Sequence, residues 1–351
     1  MGGKRPVVCL AAIDWDYLFH RPQQLMLHLA RKGHPVHYRN PLQVRGVQPE
    51  EAAPNLWVYK DFDYAPKESV ESAIYFVYFP AHAAWIDRAG DKFVVYDCLD
   101  DLPEFARHEE LMLSRADLVL CCSKTLLDKH SGRHPRLVLL PNGIDLGHYA
   151  PKGSPAPPEM VEIRSAGEAV IGFVGAFHTG WVDAELLYEV VVARPQWQFV
   201  IIGANYEWDF EKGMHKAPPN LRYLGKRSYE VLPAYIHGFD IGFIPFQDNA
   251  IARAADPIKL YEYLAAGLPV VSRNLPFVQG FAPPMVYPYD DRDGCIAAIE
   301  QALRKEKEGG EEARRLRLEL ACNFSWDNRV SLLLAKLKEL TWLEKNLPSD
   351  R

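Results

Sequence analysis

The stretch DPIKLYEYLAAGLP, residues 256–269, predicts a helix whose two ends are both set by local chemistry. Asp256 is a favourable N-cap, and Pro257 suits the first helical position, where its missing N–H group has no helical partner to lose. Gly267 can adopt the left-handed conformation that ends a helix, and Pro269 prevents the helix from continuing. The sequence therefore defines where this helix begins and ends.

The first turn of this helix is suited to an anion such as a diphosphate. Backbone N–H groups are exposed at a helix N-terminus, and the helix dipole adds a partial positive charge there. Lys259 adds a full charge, and Glu262 follows one turn deeper. A carboxylate can accept hydrogen bonds from two vicinal hydroxyl groups, such as those of a ribose.

A second interpretation of Lys259 and Glu262 is an ion pair on the helix surface. Their i,i+3 spacing alone favours this interpretation, in which the pair would stabilise the helix only slightly. The residues around Glu262 are nevertheless mostly apolar or aromatic, namely Leu260, Tyr261, Tyr263 and Leu264. Such neighbours indicate a helix enclosed on most sides, and a carboxylate placed there needs a partner.

Apolar strands and helices alternate on both sides of this stretch. Strands are predicted at residues 6–12, 36–38, 74–79, 93–98, 117–122, 137–140, 170–174, 199–202, 221–224, 240–245 and 270–272. Helices are predicted at residues 20–31, 124–130, 183–193, 228–236, 257–266, 292–303, 311–322 and 326–345. Fully apolar strands separated by helices are typical of α/β proteins in which a parallel sheet is covered on both faces.

A proline-rich stretch, YAPKGSPAPP at residues 149–158, divides this pattern in two. Its proline, glycine and serine content predicts a linker. We predict an N-terminal domain at residues 1–149, a linker at 150–168, a second domain at 169–322 and a final segment at 323–351. Two such domains would face a cleft, because ligands bind beyond the carboxyl ends of parallel strands.

Composition excludes several classes of protein. The 351 residues are 48% hydrophobic and 25% charged, as in a soluble globular protein with two domains. A net charge of −6 argues against a nucleic-acid partner. No apolar run is long enough to span a membrane, although contact with a membrane surface stays open. Six cysteines without a C-x-x-C pair predict reduced thiols in a cytoplasmic protein and no metal site.

The loop after the first strand, IDWDYLFHRPQQL at residues 13–25, is rich in polar and aromatic groups. Its position predicts that it faces the cleft, with His20 or Arg21 in contact with a donor phosphate or an acceptor. An N-cap and a solvated first helical turn explain these residues equally well. The candidates for acceptor binding in this loop are Asp14, Trp15, Asp16 and Arg21.

A group of carboxylates follows the strand at residues 93–98. Paired carboxylates would allow glycoside hydrolysis by an acid and a base or nucleophile. Loop and helix capping explains Asp100 and Asp101 better. For Asp97, at the end of the strand, a role in the site and a structural role are both open.

Several motifs, in order along the chain, resemble those of family 4, or group 1, glycosyltransferases. They are ADLVLCCS at 116–123, LPNGID at 140–145, IGFVGAF at 171–177, FVIIG at 199–203, DPIKLYEYLAAGLPVV at 256–271 and FSWDNRV at 324–330. The resemblance covers nearly the whole chain. In addition, DWDYLFHRPQQL at 14–25 resembles envelope-polysaccharide glycosyltransferases of the teichuronic-acid type.

The resemblance implies the GT-B architecture, in which two Rossmann-like domains face a cleft and a C-terminal helix returns to the N-terminal domain. It implies retaining transfer of a sugar from a nucleotide sugar, with UDP preferred and GDP as the alternative, and with no metal or other cofactor. The acceptor would be a glycan, a lipid-linked molecule or a small molecule in envelope polysaccharide synthesis. The expected location is the cytoplasm, with peripheral contact at the inner face of the membrane as an open alternative.

The residues that would carry this activity are assigned by position. Glu262 matches the second glutamate of the family's E-x7-E motif and would bind the ribose. The candidate catalytic residues are His20, Asp97, Arg253 and Lys259. The candidate donor-binding residues are Glu262, Asp256, Pro257, Ile258, Leu260, Lys226, Arg227, Gly203 and His178.

Two departures from the family pattern bear on these assignments. The first glutamate of the motif would fall at residue 254, which is Ala254. The arginine and lysine expected near the diphosphate are missing from GAFHTGWVD at 175–183. Charge compensation would then fall on four other cations, with Lys259 and Arg253 ranked before Lys226 and Arg227.

Three other functions compete with a transferase. A nicotinamide enzyme would show G-x-G-x-x-G after its first strand, whereas this strand continues into AAIDWD. A sugar-nucleotide epimerase also holds a nucleotide between two α/β domains, and the pairing of LPNGID with EYLAAGLP favours the transferase over it. A non-catalytic nucleotide-sugar-binding protein would explain Ala254.

Overall fold

A computed structural model describes residues 4–61, 63, 72–86, 92–151, 153, 155–206 and 218–346 of the chain. The chain divides into two compact units, the first comprising Met1–Gly143 and Trp326–Arg351 and the second Ile144–Ser325. The boundary after Gly143 lies six residues before the predicted one at 149/150.

The first unit contains an eight-stranded sheet. Its strands are β1 (Val7–Leu10), β2 (Val36–Arg39), β3 (Glu50–Ala53), β4 (Leu56–Tyr59), β5 (Ile74–Val77), β6 (Phe93–Cys98), β7 (Leu118–Cys121) and β8 (Leu137–Leu139). They lie in the order β3-β4-β2-β1-β5-β6-β7-β8. Among the strand pairs of the described residues, β3 with β4 is antiparallel and the others are parallel. The central strands β1, β5, β6 and β7 are buried along their whole length, as parallel strands covered on both faces should be.

The helices of the first unit are α1 (Arg21–Arg31), α2 (Ala106–Arg115), α3 (Lys124–His130) and, from the end of the chain, α11 (Trp326–Asn346). Leu25, Met26 and Leu29 of α1 are fully buried, so this face of the helix packs in the core of the first unit. The N–H of Leu126 donates to Ser123 Oγ at 3.2 Å, so Ser123 caps α3. Because α11 packs against α1, the end of the chain belongs to the first unit, as the resemblance implied.

The second unit contains a six-stranded parallel sheet. Its strands are β9 (Ala169–Val174), β10 (Trp197–Ile202), β11 (Leu221–Gly225), β12 (Ile241–Ile244), β13 (Val270–Arg273) and β14 (Val286–Tyr289), in the order β11-β10-β9-β12-β13-β14. Its helices are α4 (Leu146–Tyr149), α5 (Pro158–Ser165), α6 (Ala184–Ala193), α7 (Leu232–Ile236), α8 (Ala250–Ala254), α9 (Ile258–Ala265) and α10 (Arg292–Cys322). Alternate side chains of each strand enter two separate hydrophobic clusters, and α9 lies in one of them.

The stretch predicted as a linker is partly helical. Helix α5 lies within residues 150–168 and buries Met160 and Ile163 against the second unit. Helix α4 begins directly after Asp145, whose carboxylate accepts a hydrogen bond from the N–H of His148. The proline-rich composition therefore marks the entry to the second unit and not a free spacer.

The two helices predicted at 292–303 and 311–322 are both present and meet at a kink within α10. Helix α10 is interrupted at Gly309, whose φ of −167° and ψ of 34° are not helical. The buried guanidinium of Arg317 spans this kink, since it donates to both carboxylate oxygens of Glu306 at 2.9 and 2.7 Å. Among the described residues, no helix combines the length and apolar character that a membrane span requires.

Candidate functional site

Helix α9 lies within the stretch 256–269 from which the site was predicted. Its C-terminal end agrees with the prediction, and its N-terminal end does not. The left-handed end at Gly267 is confirmed, with a φ of +81°. The assignment of Asp256 as N-cap was wrong, because Pro257 occupies that position and the helix begins at Ile258. The carboxylate of Asp256 instead accepts a hydrogen bond from the hydroxyl of Tyr261 at 2.7 Å.

The face of α9 toward the sheet fixes the helix in place. The ring of Tyr263 lies over Gly242 of β12, where an added Cβ would come within 2.3 Å of the ring. The N–H of Val174, at the end of β9, donates to the Tyr263 hydroxyl oxygen at 2.8 Å. Leu260 is fully buried in the same cluster, so its side chain packs in the core, and the donor contact assigned to this residue stays a prediction.

Glu262 is the centre of a small buried polar cluster. Its carboxylate is 1% exposed, and the Lys259 ammonium lies 2.7 Å from Oε2. The hydroxyl of Tyr149, from α4, donates to Oε1 at 2.8 Å. The i,i+3 ion pair considered from spacing alone is therefore present, but it is buried and has a third member.

Tyr149 is itself held on several sides. Its backbone carbonyl accepts a hydrogen bond from His237 at 2.9 Å, and its ring meets the ring of Tyr229 edge to face, with centroids 6.0 Å apart. His148 stacks on Tyr229 at 3.9 Å. Burial, together with the neighbouring Glu262 charge, raises the pKa of Tyr149 well above its usual value, so the phenol is a hydrogen-bond donor at neutral pH.

Two of the other candidate cations have their own carboxylate partners. Arg253, at the end of α8, donates to Asp248 at 2.7 Å in an exposed pair. Arg227 donates to Tyr235 at 2.9 Å and to Glu159 of α5 at 3.3 Å. Lys226 is exposed beyond the end of β11. Of the four candidate cations, Lys259 is the one bound to Glu262.

The position of the family's missing glutamate lies in the protein interior. Ala254 is the last residue of α8 and is 1% exposed. The next carboxylate along the chain, that of Asp256, is 9% exposed and is bound to Tyr261. Pro257 and Ile258, by contrast, are half-buried at the start of α9.

Gly203 and His178 lie on loops at the carboxyl ends of β10 and β9. A Cβ on Gly203 would lie 1.8 Å from the carbonyl oxygen of Gly175, so close approach of the two loops requires a glycine there. His178 is half-buried, and its Nδ1 accepts a hydrogen bond from the N–H of Gly180 at 2.9 Å. Packing of the loops therefore explains Gly203, and the donor contacts assigned to both residues stay predictions.

Arg21 and Asp97 of the first unit form a buried ion pair. The guanidinium donates to both carboxylate oxygens at 2.9 and 2.8 Å, and the two side chains are 3% and 0% exposed. Burial lowers the pKa of Arg21, but the adjacent carboxylate outweighs this and raises it above the usual value. Both side chains are buried in this ion pair, which supports a structural role, and the substrate contacts assigned to Arg21 and Asp97 stay predictions.

The rest of the loop before α1 is anchored within the first unit. The N–H of His20 donates to Gln23 Oε1 at 3.1 Å, which supports the interpretation of His20 as the N-cap of α1. The N–H of Trp15 donates to Asn40 Oδ1 at 3.0 Å, and the Asp14 carboxylate accepts a hydrogen bond from the N–H of Leu42 at 3.2 Å. The Asp16 carboxylate lies 3.3 Å from the Lys60 ammonium. Contacts of these residues with a donor or acceptor stay predictions.

Two of the candidate residues, Lys259 and Glu262 of α9, contact each other through their side chains. In the part of the chain that the structure describes, no three His, Cys, Asp or Glu side chains are grouped so that they could hold a metal ion. The cluster of Lys259, Glu262 and Tyr149 offers a cation, a carboxylate and a hydroxyl within one buried site. Sequence reasoning found the first two of these residues and missed Tyr149.

Comparisons with known proteins relate the second unit to one family of enzymes. Residues 168–305 match the family described as Glycosyl transferases group 1. TuaH of Bacillus subtilis (strain 168), named as a glycosyltransferase of teichuronic acid biosynthesis, is 28% identical over 280 residues, covering 72% of this chain and 68% of that protein.

Two solved structures resemble nearly the whole chain. Sucrose-phosphate synthase from Thermosynechococcus elongatus has a TM-score of 0.70 at 16% identity, over 97% of this chain and 100% of that one. Anabaena HepE in complex with UDP-glucose has a TM-score of 0.67 at 15% identity, over 94% of this chain and 99% of that one. Together with the two parallel-sheet units, this likeness establishes the GT-B fold.

Proposed function

We propose, from the match of residues 168–305 to the group 1 glycosyltransferases, that this chain transfers a sugar from a nucleotide sugar during synthesis of a cell-envelope polysaccharide. The name of its relative TuaH supports this biological role. UDP is the favoured donor nucleotide and GDP the alternative, and the structural neighbour HepE, solved with UDP-glucose, supports UDP. The acceptor we propose is a glycan, a lipid-linked molecule or a small molecule.

The observation that carries this proposal is the buried cluster around Glu262. A carboxylate that is 1% exposed, with an ammonium 2.7 Å away, combines a group that accepts ribose hydroxyls with a cation suited to a diphosphate. Lys259 is the second residue of α9, so the positive end of the helix dipole adds to its charge. Both groups lie within the residues matched to the family.

In the mechanism we propose, the sugar is transferred with retention by substitution on the face from which the nucleotide leaves. The Lys259 ammonium and the N-terminus of α9 stabilise the negative charge that develops on the leaving diphosphate. Because these groups supply positive charge, the proposed reaction uses no metal ion, and no side chain is assigned as a nucleophile. A cytoplasmic location and peripheral membrane contact stay predictions that accompany this function.

Binding of nucleotides tests the proposal first. Thermal unfolding is followed with UDP, GDP and ADP, and then with their sugar conjugates. We expect one nucleotide and its sugar conjugates to raise the unfolding temperature, because ligands that bind only the folded state stabilise it. If none of these nucleotides has an effect, the proposal is contradicted.

A non-catalytic nucleotide-sugar-binding protein is the second candidate, because Ala254 replaces the family's first glutamate. Incubation with the donor that binds, followed by measurement of released nucleotide with and without candidate acceptors, separates the two functions. A transferase releases nucleotide together with a glycosylated product, whereas a binding protein releases none. Chromatography of the recovered donor also detects an epimerase, which would change the sugar without releasing the nucleotide.

A further inference from the structure

The two partners of Glu262 differ in how firmly they are held. Tyr149 is 1% exposed, has only two rotatable side-chain bonds and is packed against Tyr229 and His237. The Lys259 side chain is 13% exposed and has four rotatable bonds. Of the two groups on the carboxylate, Lys259 is therefore the one that can leave without disturbing the core.

The carboxylate has little other access to solvent. Its side chain is 1% exposed, and the two partners bind one oxygen each. A ligand hydroxyl that reaches Glu262 must therefore approach through the position of the more exposed partner. That position is occupied by the Lys259 ammonium in the donor-free protein.

We propose that Lys259 occupies the place on Glu262 that the ribose hydroxyls take when the donor binds, and that the released ammonium then binds the donor's diphosphate. Tyr149 is in this scheme a positioning residue, which keeps the carboxylate oriented before and after the exchange. The inference rests on the proposed function, since it assigns steps of donor binding to residues of that site.

After the exchange, both charged groups still have a partner: hydrogen-bond donors for the carboxylate and an anion for the ammonium. Glu262 loses an ammonium and gains hydroxyl donors, while the hydroxyl of Tyr149 remains on Oε1. The ammonium of Lys259 leaves one anion and meets another, the diphosphate, which binds cations strongly. A nucleoside without phosphates offers the released ammonium no new partner. The ion pair should therefore oppose binding of the nucleoside and favour binding of the complete nucleotide.

This coupling predicts opposite effects of one substitution on two ligands. In Lys259→Met, uridine no longer competes with an ammonium for Glu262, and we expect it to bind about fivefold more tightly. UDP loses a charge-assisted contact, and we expect it to bind about tenfold more weakly. Calorimetry measures the affinity of each protein for UDP. Ligand-detected NMR with millimolar nucleoside measures the affinity for uridine. If GDP is the nucleotide that stabilises the wild type, guanosine and GDP take their places.

Three controls separate the exchange from a structural effect. The ligand 2′,3′-dideoxyuridine lacks the 2′- and 3′-hydroxyl groups that would bind Glu262. Its affinity should therefore not increase in Lys259→Met. The variant Tyr149→Phe loses only a hydroxyl. It should weaken the binding of uridine and of UDP by similar factors, because the Glu262 carboxylate loses the hydrogen bond that orients it. Lys259→Gln, which keeps a neutral hydrogen-bond donor, repeats the test in case Lys259→Met does not fold. Thermal unfolding is recorded for every variant to show that it is folded.

The outcomes distinguish failure of this inference from failure of the proposed function. If no nucleotide binds the wild type, the proposed function fails. If UDP binds the wild type but uridine binding to both Lys259 variants is unchanged or weaker, the function stands and the exchange is overturned. Opposite shifts for uridine and UDP, absent for dideoxyuridine, support the exchange.

Discussion

The ion pair between Arg21 and Asp97 joins three separate segments of the first unit. Besides the carboxylate at the end of β6, the guanidinium donates to the carbonyl of Leu140 at 2.8 Å and to Asn142 Oδ1 at 3.3 Å. It also lies 6.0 Å from the ring centre of Trp326, the first residue of α11. Two buried charges thus connect the start of α1, the last residues before the boundary and the returning helix.

Asp97→Asn should destabilise the first unit strongly. The substitution leaves a buried guanidinium without its counter-charge, and loss of one partner of a buried pair costs about 3–5 kcal/mol. Native-state hydrogen exchange of the β6 amides measures this free energy of unfolding.

The matched control is Asp16→Asn, which removes an ion pair whose side chains are 70% and 31% exposed. We expect a change within about 0.5 kcal/mol for this control. Equal, small effects of the two substitutions would contradict the structural role of Asp97.

Residue-scale prediction from the sequence succeeded for neighbours and failed for distant partners. The pairing of Lys259 with Glu262 follows from i,i+3 spacing within a helix. The bond from Tyr149 to Glu262 joins residues 113 positions apart, and no local pattern encodes it. The burial of Asp97 likewise depends on Arg21, 76 residues away, so its position at a strand end looked equally suited to a site.

At the scale of elements, α9 depends on its contact with the sheet. Gly242→Ala would place a methyl group within 2.3 Å of the Tyr263 ring and force α9 away from β12. Overpacking of this kind costs about 1–3 kcal/mol. We therefore expect a lower unfolding temperature of the second unit by calorimetry, together with weaker binding of UDP, because Glu262 moves with the helix.

The control for this substitution is Gly310→Ala in α10. The nearest atom to a Cβ there is a carboxylate oxygen of Glu306 at 3.4 Å, an ordinary van der Waals contact. Alanine is favoured over glycine in a helix by about 1 kcal/mol, so Gly310→Ala should be neutral or stabilising. Equal destabilisation by both substitutions would remove the special role of the contact between Gly242 and Tyr263.

Most elements with strong apolar patterns were predicted, but the buried apolar strand β4 (Leu56–Tyr59) was missed, as were β3, β14 and α2. The sequence places α3 at its observed bounds, and most buried strands to within two residues at either end. Strand β3 (Glu50–Ala53) was missed because it is acidic and largely exposed at the sheet edge. Strand β14 (Val286–Tyr289) contains the exposed Pro288, which is tolerated because β14 is also an edge strand.

At the scale of the whole molecule, the two units differ in how the chain builds them. The second unit is one continuous segment with its own sheet and two hydrophobic clusters. The first unit needs both ends of the chain, since Trp326, Val330 and Leu333 of α11 are fully buried in it. Sequence patterns predicted both sheets, but a boundary at Gly143 depends on contacts that composition does not reveal.

Fragments should therefore behave differently. We expect residues 144–325 to fold alone and bind UDP, because all three members of the Glu262 cluster lie within them. Residues 1–143 should fold only when a peptide of residues 326–346 is added, because the peptide covers the apolar face of α1. Circular dichroism and calorimetry test both statements, and cooperative unfolding of residues 1–143 alone would contradict the second.

The most direct test of the whole account is the affinity of UDP for the wild type and for Glu262→Gln, measured by calorimetry on the full chain. The amide keeps the size of the side chain but removes its charge and one acceptor oxygen. Because a hydrogen bond to a charged group contributes about 1.5–3 kcal/mol, we expect at least about a tenfold loss of affinity with unchanged folding. Equal affinity of the two proteins would contradict the assignment of Glu262 to the nucleotide, and with it the site proposed on α9.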